Sequence, residues 1–141
     1  MRTLQGALRV TEREASVTFY TALGYEVIGE VRDTPLGHLT MLKPSGDDYV
    51  ALELVHDPSA PPAVETTLSH IAVQVESLED TVSRLAAARI RAEPIASPGP
   101  GLHTTCITDP DGRRIELVEW PPGHPDGLTA ADWAQHDEED R

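Results

Sequence analysis

The chain has 141 residues, a formal net charge of -13, and 39% hydrophobic and 25% charged side chains, which fits one compact globular domain and excludes a disordered or fibrous chain. So acidic a chain repels a phosphate backbone, which excludes nucleic acid as a partner, and no apolar run reaches the length needed to span a membrane. The single cysteine, Cys106, cannot close an intramolecular disulfide and the opening MRTLQGALRV lacks the apolar core of a signal peptide, so a cytoplasmic location is expected.

Residues 3–10 alternate as a half-buried strand does, with Leu4, Gly6, Leu8 and Val10 on one face and Gln5, Ala7 and Arg9 on the other. Thr11 and Glu14 fit a capping box, and Ala15, Phe19, Ala22 and Leu23 recur at helical spacing until Gly24 supplies a stop. Strands are predicted around 25–31, 38–42 and 49–55, separated by turn residues. After the proline-containing linker HDPSAPPAVET the same order returns, with a strand at 68–75 and a helix capped by Ser77 that carries Leu78, Val82, Leu85 and Ala86 at the spacing of the first helix. Further strands are predicted at 92–96, 103–108 and 113–119, the last two joined by an Asp109-Pro110-Asp111-Gly112 turn. The pattern is an α+β chain of two βαβββ modules, one over about 3–55 and one over about 67–120, joined by a linker at 56–66. Residues 121–141 match neither module and read as an acidic appendage with a short helix over 130–135, anchored by Trp133.

A polar residue interrupts each of four apolar strands. Gln5 opposes Leu4 and Gly6, Glu53 opposes Leu52 and Leu54, His70 opposes Ile71, and Glu116 opposes Ile115 and Leu117. The spacing repeats between modules, 53 - 5 = 48 residues and 116 - 70 = 46. Two carboxylates, an imidazole and an amide oxygen make an oxygen-rich set suited to an octahedral divalent cation, and that set accepts zinc, nickel, cobalt or manganese. A single polar residue on the second face of a sheet is usually just wetted by solvent; the matched parity and spacing are what single these out. Arg9 shares the parity of Gln5 and suits either an anionic group of a substrate or an ordinary surface ion pair. Tyr49 has the parity of Glu53, and Cys106 reads as a small buried hydrophobe.

The stretches LRVTEREASVTFYTALGYEV, LELVHD, SHIAVQVESLED and DPDGRRIELVEW resemble the vicinal oxygen chelate superfamily, which includes glyoxalase I, bleomycin resistance proteins, extradiol dioxygenases and methylmalonyl-CoA epimerase. The likeness spans residues 3–120, so residues 1–120 are expected to form a vicinal oxygen chelate domain whose curved mixed sheets surround a metal-binding cup. Within the superfamily the ligand pattern is most similar to that of glyoxalase I (lactoylglutathione lyase), onto which Gln5, Glu53, His70 and Glu116 map in order as metal ligands. That resemblance implies a lyase or isomerase that converts the hemithioacetal of a 2-oxoaldehyde and a small thiol into a 2-hydroxyacyl thioester through a metal-bound enediolate. It also implies Glu116 as base, Glu53 as its counterpart on the opposite side, and Arg9 as a grip on a substrate carboxylate. The family's partners are a small-molecule substrate and a second copy of the chain. Each site of the homodimer is then assembled from Gln5 and Glu53 of one subunit with His70 and Glu116 of the other. VETTLSH and ASPGPGLHTTC, where glyoxalase I carries further cationic contacts to glutathione, contain no Lys or Arg, which leaves the thiol open. The same fold supports two other readings: a non-catalytic antibiotic-binding protein of the bleomycin resistance type, and an epimerase.

Overall fold

The computed structural model describes residues 1–59 and 70–134. The first module runs β1 (Gly6–Arg9), α1 (Arg13–Leu23), β2 (Tyr25–Thr34), β3 (Gly37–Pro44) and β4 (Leu52–His56). The second repeats it with β5 (His70–Gln74), α2 (Leu78–Ala87), β6 (Ala96–Gly99), β7 (Leu102–Thr108) and β8 (Arg114–Glu119), and a short α3 (Ala131–Ala134) follows. Each module folds into a mixed four-stranded sheet, in the order β1-β4-β3-β2 and β5-β8-β7-β6, whose first and last strands run parallel. This parallel pairing requires a crossover, and the helix of each module supplies it. The α+β class and the two βαβββ modules expected from the sequence are what the structure contains.

One core serves both modules. Leu8, Val10, Leu42 and Leu54 from the first sheet and Ile107, Ile115 and Leu117 from the second are buried with Phe19, Tyr20 and Leu23 of α1 and Leu78 and Leu85 of α2. Burial of this kind stabilises by roughly 1.5–3 kcal/mol per large side chain.

Polar contacts fix how the modules meet. Tyr20 on α1 donates its hydroxyl to Asp109 Oδ2 at 2.7 Å, and Arg113 Nη1 donates to the same oxygen at 3.1 Å. Asp109 Oδ1 accepts from the Asp111 and Arg113 amides, and Arg113 Nη2 reaches back to the Arg9 carbonyl. A carboxylate at 4% exposure is thus satisfied by a cation and three neutral donors, the arrangement a buried charge requires.

Several local expectations shift. Thr11 does not cap α1; the N-cap is Glu12 with no side-chain bond, and Thr11 instead donates to Asp111 of the β7–β8 turn. The buried face of α1 is Ser16, Phe19, Tyr20 and Leu23 while Ala15 is exposed, because Tyr20 brings a large ring and a hydroxyl that Asp109 accepts. Ser77 does cap α2, accepting from the Asp80 amide. In place of the strand predicted at 92–96, β6 begins at Ala96: Pro94 cannot donate to a ladder, and Glu93 is held by its amide to Cys106 and by Thr105 Oγ1. The linker from Ala60 onward, Leu68 and Ser69 of the predicted fifth strand, Gln135 and the side chain of Trp133 lie outside the described residues.

Candidate metal and substrate wall

Pairing registers give each sheet two faces, and the polar residues fall on the face turned away from the helices. Ala7 aligns with Glu53, and Glu53 with Met41, so Gln5, Ala7, Arg9, Met41 and Glu53 share one face of the first sheet. In the second sheet His70 aligns with Arg114, Ala72 with Glu116, and Glu116 with Cys106, which gathers His70, Arg114, Glu116 and Cys106 on one face. In both modules the ligand candidate on the first strand sits two residues before the partner of the acid on the last strand. The sequence repeat is therefore a geometric repeat.

Contacts follow the register. Gln5 Nε2 donates to Glu53 Oε2 at 2.8 Å, and His70 Nε2 lies 3.2 Å from Glu116 Oε2. The structure brings Gln5 to Glu53 and His70 to Glu116, but it does not bring one pair to the other. No group of three or more His, Cys, Asp or Glu with metal-binding geometry occurs among the described residues. Each module thus presents one polar pair on its outer sheet face.

The two acids sit in different surroundings. Glu53 is only 9% exposed, between the buried Leu52, Leu54 and Val55, and among the described residues its hydrogen bond comes from the neutral Gln5 amide with no cation beside it. Glu116 keeps about a third of its side chain exposed and faces the His70 imidazole. Transferring an ionised carboxylate out of water costs several kcal/mol unless a positive charge or hydrogen bonds meet it, so an enclosed position such as that of Glu53 favours a cation nearby. The donor chemistry of each pair, an amide with a carboxylate and an imidazole with a carboxylate, is of a kind that suits a divalent cation.

Arg9 is exposed on the Gln5 face, and its charge is felt by Asp57. The Ser59 hydroxyl and amide hold the Asp57 carboxyl below its ordinary range, with Arg9 and His56 adding to the effect. Tyr49 departs from the expected wall, because β4 starts only at Leu52; the ring stands 65% exposed with the Arg2 guanidinium over it at 5.2 Å. Arg114 and Cys106 are additions to the wall. The hydrogen bond between them raises the Arg114 guanidinium above its ordinary value, and Glu93 pairs with Arg114 at 3.0 Å. Arg114 was readable from its parity with Glu116, but a lone arginine next to Arg113 at a strand start carries no signal of its own.

Residues 3–117 match the family described as the glyoxalase/bleomycin resistance protein/dioxygenase superfamily. The chain belongs to this superfamily. Among solved structures, the glyoxalase family protein from Enterococcus faecalis is 27% identical with a TM-score of 0.65, covering 83% of this chain and 94% of its own. The trypanothione-dependent glyoxalase I of Leishmania major is 24% identical with a TM-score of 0.66, covering 99% of this chain and 94% of its own. TnmS3, an antibiotic binding protein from Streptomyces sp. CB03234, is 20% identical with a TM-score of 0.65 over 84% of this chain and 96% of its own. The last two show the shared fold alone. No curated protein matches the chain. Members of the superfamily often bind a divalent metal, and the superfamily includes proteins that bind small molecules. Among the described residues no helix is long and apolar enough to cross a membrane.

Proposed function

We propose that this superfamily member is a cytoplasmic, metal-dependent lyase of glyoxalase I type, acting as a homodimer on the hemithioacetal of a 2-oxoaldehyde and a low-molecular-weight thiol. The observation that carries the reading is the enclosed Glu53 carboxylate, whose described partner is a neutral amide, repeated in register by a second acid beside an imidazole. In this reading residues 1–120 form the catalytic domain and 121–141 an appendage.

Gln5 and Glu53 of one subunit and His70 and Glu116 of the other would hold one divalent ion, zinc, nickel, cobalt or manganese. Bound there, the ion supplies Lewis acidity that makes the substrate carbon acid accessible to a carboxylate base. Glu116 takes the proton from the carbon that bears sulfur, the C–H electron pair enters the enediolate, the same carboxyl returns the proton to the neighbouring carbon, and the hydroxyl proton of the first carbon passes to the oxygen of the second. The product is a 2-hydroxyacyl thioester, with no oxidant consumed. Glu53 flanks the opposite side and could serve there as the second carboxylate. Arg9, on the Gln5 face, meets an anionic group of the thiol portion.

The test is metal analysis of protein purified without added metal, followed by methylglyoxal turnover with several small thiols and by the Glu116→Gln variant. Near-stoichiometric metal with thiol-dependent turnover that the variant loses is expected. Protein that takes up no divalent metal, or that takes it up and stays inert with every thiol, overturns the proposal.

A further inference from the structure

A cavity borders the end of the candidate ligand wall. A cleft of about 870 Å³ opens between the α1–β2 corner of the first module and β5 of the second, bounded by the segment that follows β8. On its wall, Ala72, the register partner of Glu116, stands two residues along β5 from His70, and Gln74 stands 74 - 70 = 4 residues along. At ~3.3 Å per residue the cleft begins about 7 Å from the candidate ligand and its Gln74 lies about 13 Å away.

We propose that this cleft binds an organic cation with a flat or apolar body, such as an aryl ammonium or guanidinium compound. Three carboxylates reach it from three separate places: Asp47 from the β3–β4 connection, Glu76 from the end of β5, and Asp126 from the C-terminal segment. No Lys or Arg is found among the described residues that line it. The one titratable cation on the wall, His124, is engaged by Asp132 at 2.6 Å, so its charge is matched within the protein. Like charges in a cleft with low-dielectric walls reinforce one another, so this cavity attracts cations and rejects carboxylates and phosphates.

The remaining walls suit an aromatic or aliphatic body. Leu23 and Val73 supply apolar surface, and the Trp120 indole is stacked on His124 with ring centres 4.2 Å apart and planes 9° from parallel. The stack is pinned to the sheet: Trp120 Nε1 donates to Gln74 Oε1 at 3.1 Å, and Gln74 Nε2 donates to Asp126 Oδ1 at 3.2 Å. One hydrogen-bonded chain therefore orients both a carboxylate and an indole, whose face away from His124 is the one left for cation–π contact with an organic cation. An arrangement held in advance of binding loses less entropy when the ligand arrives.

The experiment titrates the full chain with phenyltrimethylammonium, and with neutral tert-butylbenzene as its isostere, by calorimetry and by the indole N–H resonance of Trp120. Expected are one saturable site per chain for the cation, a shifted Trp120 resonance, and affinity reduced roughly tenfold or more by Glu76→Gln combined with Asp126→Asn, as by added salt. Glu116→Gln should leave this binding unchanged, which separates the cleft from the proposed catalytic wall. Equal affinity for the neutral isostere, no binding at all, or loss of binding in Glu116→Gln but not in the cleft variant would overturn the proposal. A thermal melt of the cleft variant matching the parent shows that any loss is not unfolding.

Discussion

Tyr20 and Asp109 stand 89 residues apart in sequence and share a 2.7 Å hydrogen bond that ties the helix of the first module to a turn of the second. Tyr20→Phe keeps the ring in the core and removes the hydroxyl, leaving Asp109 Oδ2 to Arg113 alone. The expected cost is about 1–3 kcal/mol, read as a lower urea midpoint with little change in slope.

The same pair sets the behaviour in alkali. Burial first, and then the bond to Asp109, raise the Tyr20 phenol well above its ordinary value. A phenol neutral in the fold contributes fully below its unfolded value of about 10, and that contribution is lost as pH climbs toward the folded one. Stability should fall above about pH 10, and Tyr20→Phe should flatten part of the fall. Tyr25, also raised by burial, adds to the fall. Parallel melts across alkaline pH decide this; equal slopes for the parent and the variant would count against it.

Because Gln5 with Glu53 and His70 with Glu116 lie on separate sheets, a shared site predicts complementation between crippled chains. A chain carrying Gln5→Ala and Glu53→Ala, and one carrying His70→Ala and Glu116→Ala, should each be inactive. Mixed and refolded in equal amounts, they should recover about a quarter of parental turnover, since half the dimers are mixed and each mixed dimer holds one intact site of two. Recovery of nothing, with mixed dimers present by mass spectrometry, would place each site within one chain.

Much of this was legible in the sequence, and the parts that were not share a cause. Parity marked Gln5, Glu53, His70 and Glu116 because strand alternation is local, and the register of both sheets preserves it. The partner of Thr11 was not legible, since Asp111 lies 100 residues on and the capping-box pattern is equally satisfied on paper. The enclosure of Glu53 depends on both flanks of β4, which no spacing records. Nor did the clasp of Gln74, Trp120 and Asp126 announce itself, because each residue alone is an ordinary surface side chain.

The end of α2 shows a stop without its usual residue. Arg89 adopts φ +62°, its amide donates to Ala86 O, and the Ile90 amide donates to Leu85 O, the bond pattern of a helix terminus normally closed by glycine. Arg89→Gly should therefore stabilise the chain by roughly 0.5–1 kcal/mol, against the usual direction for a glycine substitution. A Tm that falls instead would mean that the Arg89 side chain contributes more than the strain it carries.

His124 gives the acid-side counterpart. Asp132 first, and then the Pro125 carbonyl, raise its imidazole above the ordinary value, while the Thr129 amide and then His124 lower the Asp132 carboxyl. The imidazolium's contribution is complete below about pH 6.5 and is lost as pH rises through the raised folded value; the carboxylate's is complete above about pH 3.9 and is lost as pH falls through the lowered one. The contact is therefore firmest between those limits, on the acid side of neutrality. Asp132→Asn should bring the His124 titration down toward its ordinary value, with the Pro125 contact still present, and should move the Trp120 indole resonance through the stacked rings. A His124 titration unchanged by that substitution would mean that Asp132 does not hold the ring in solution.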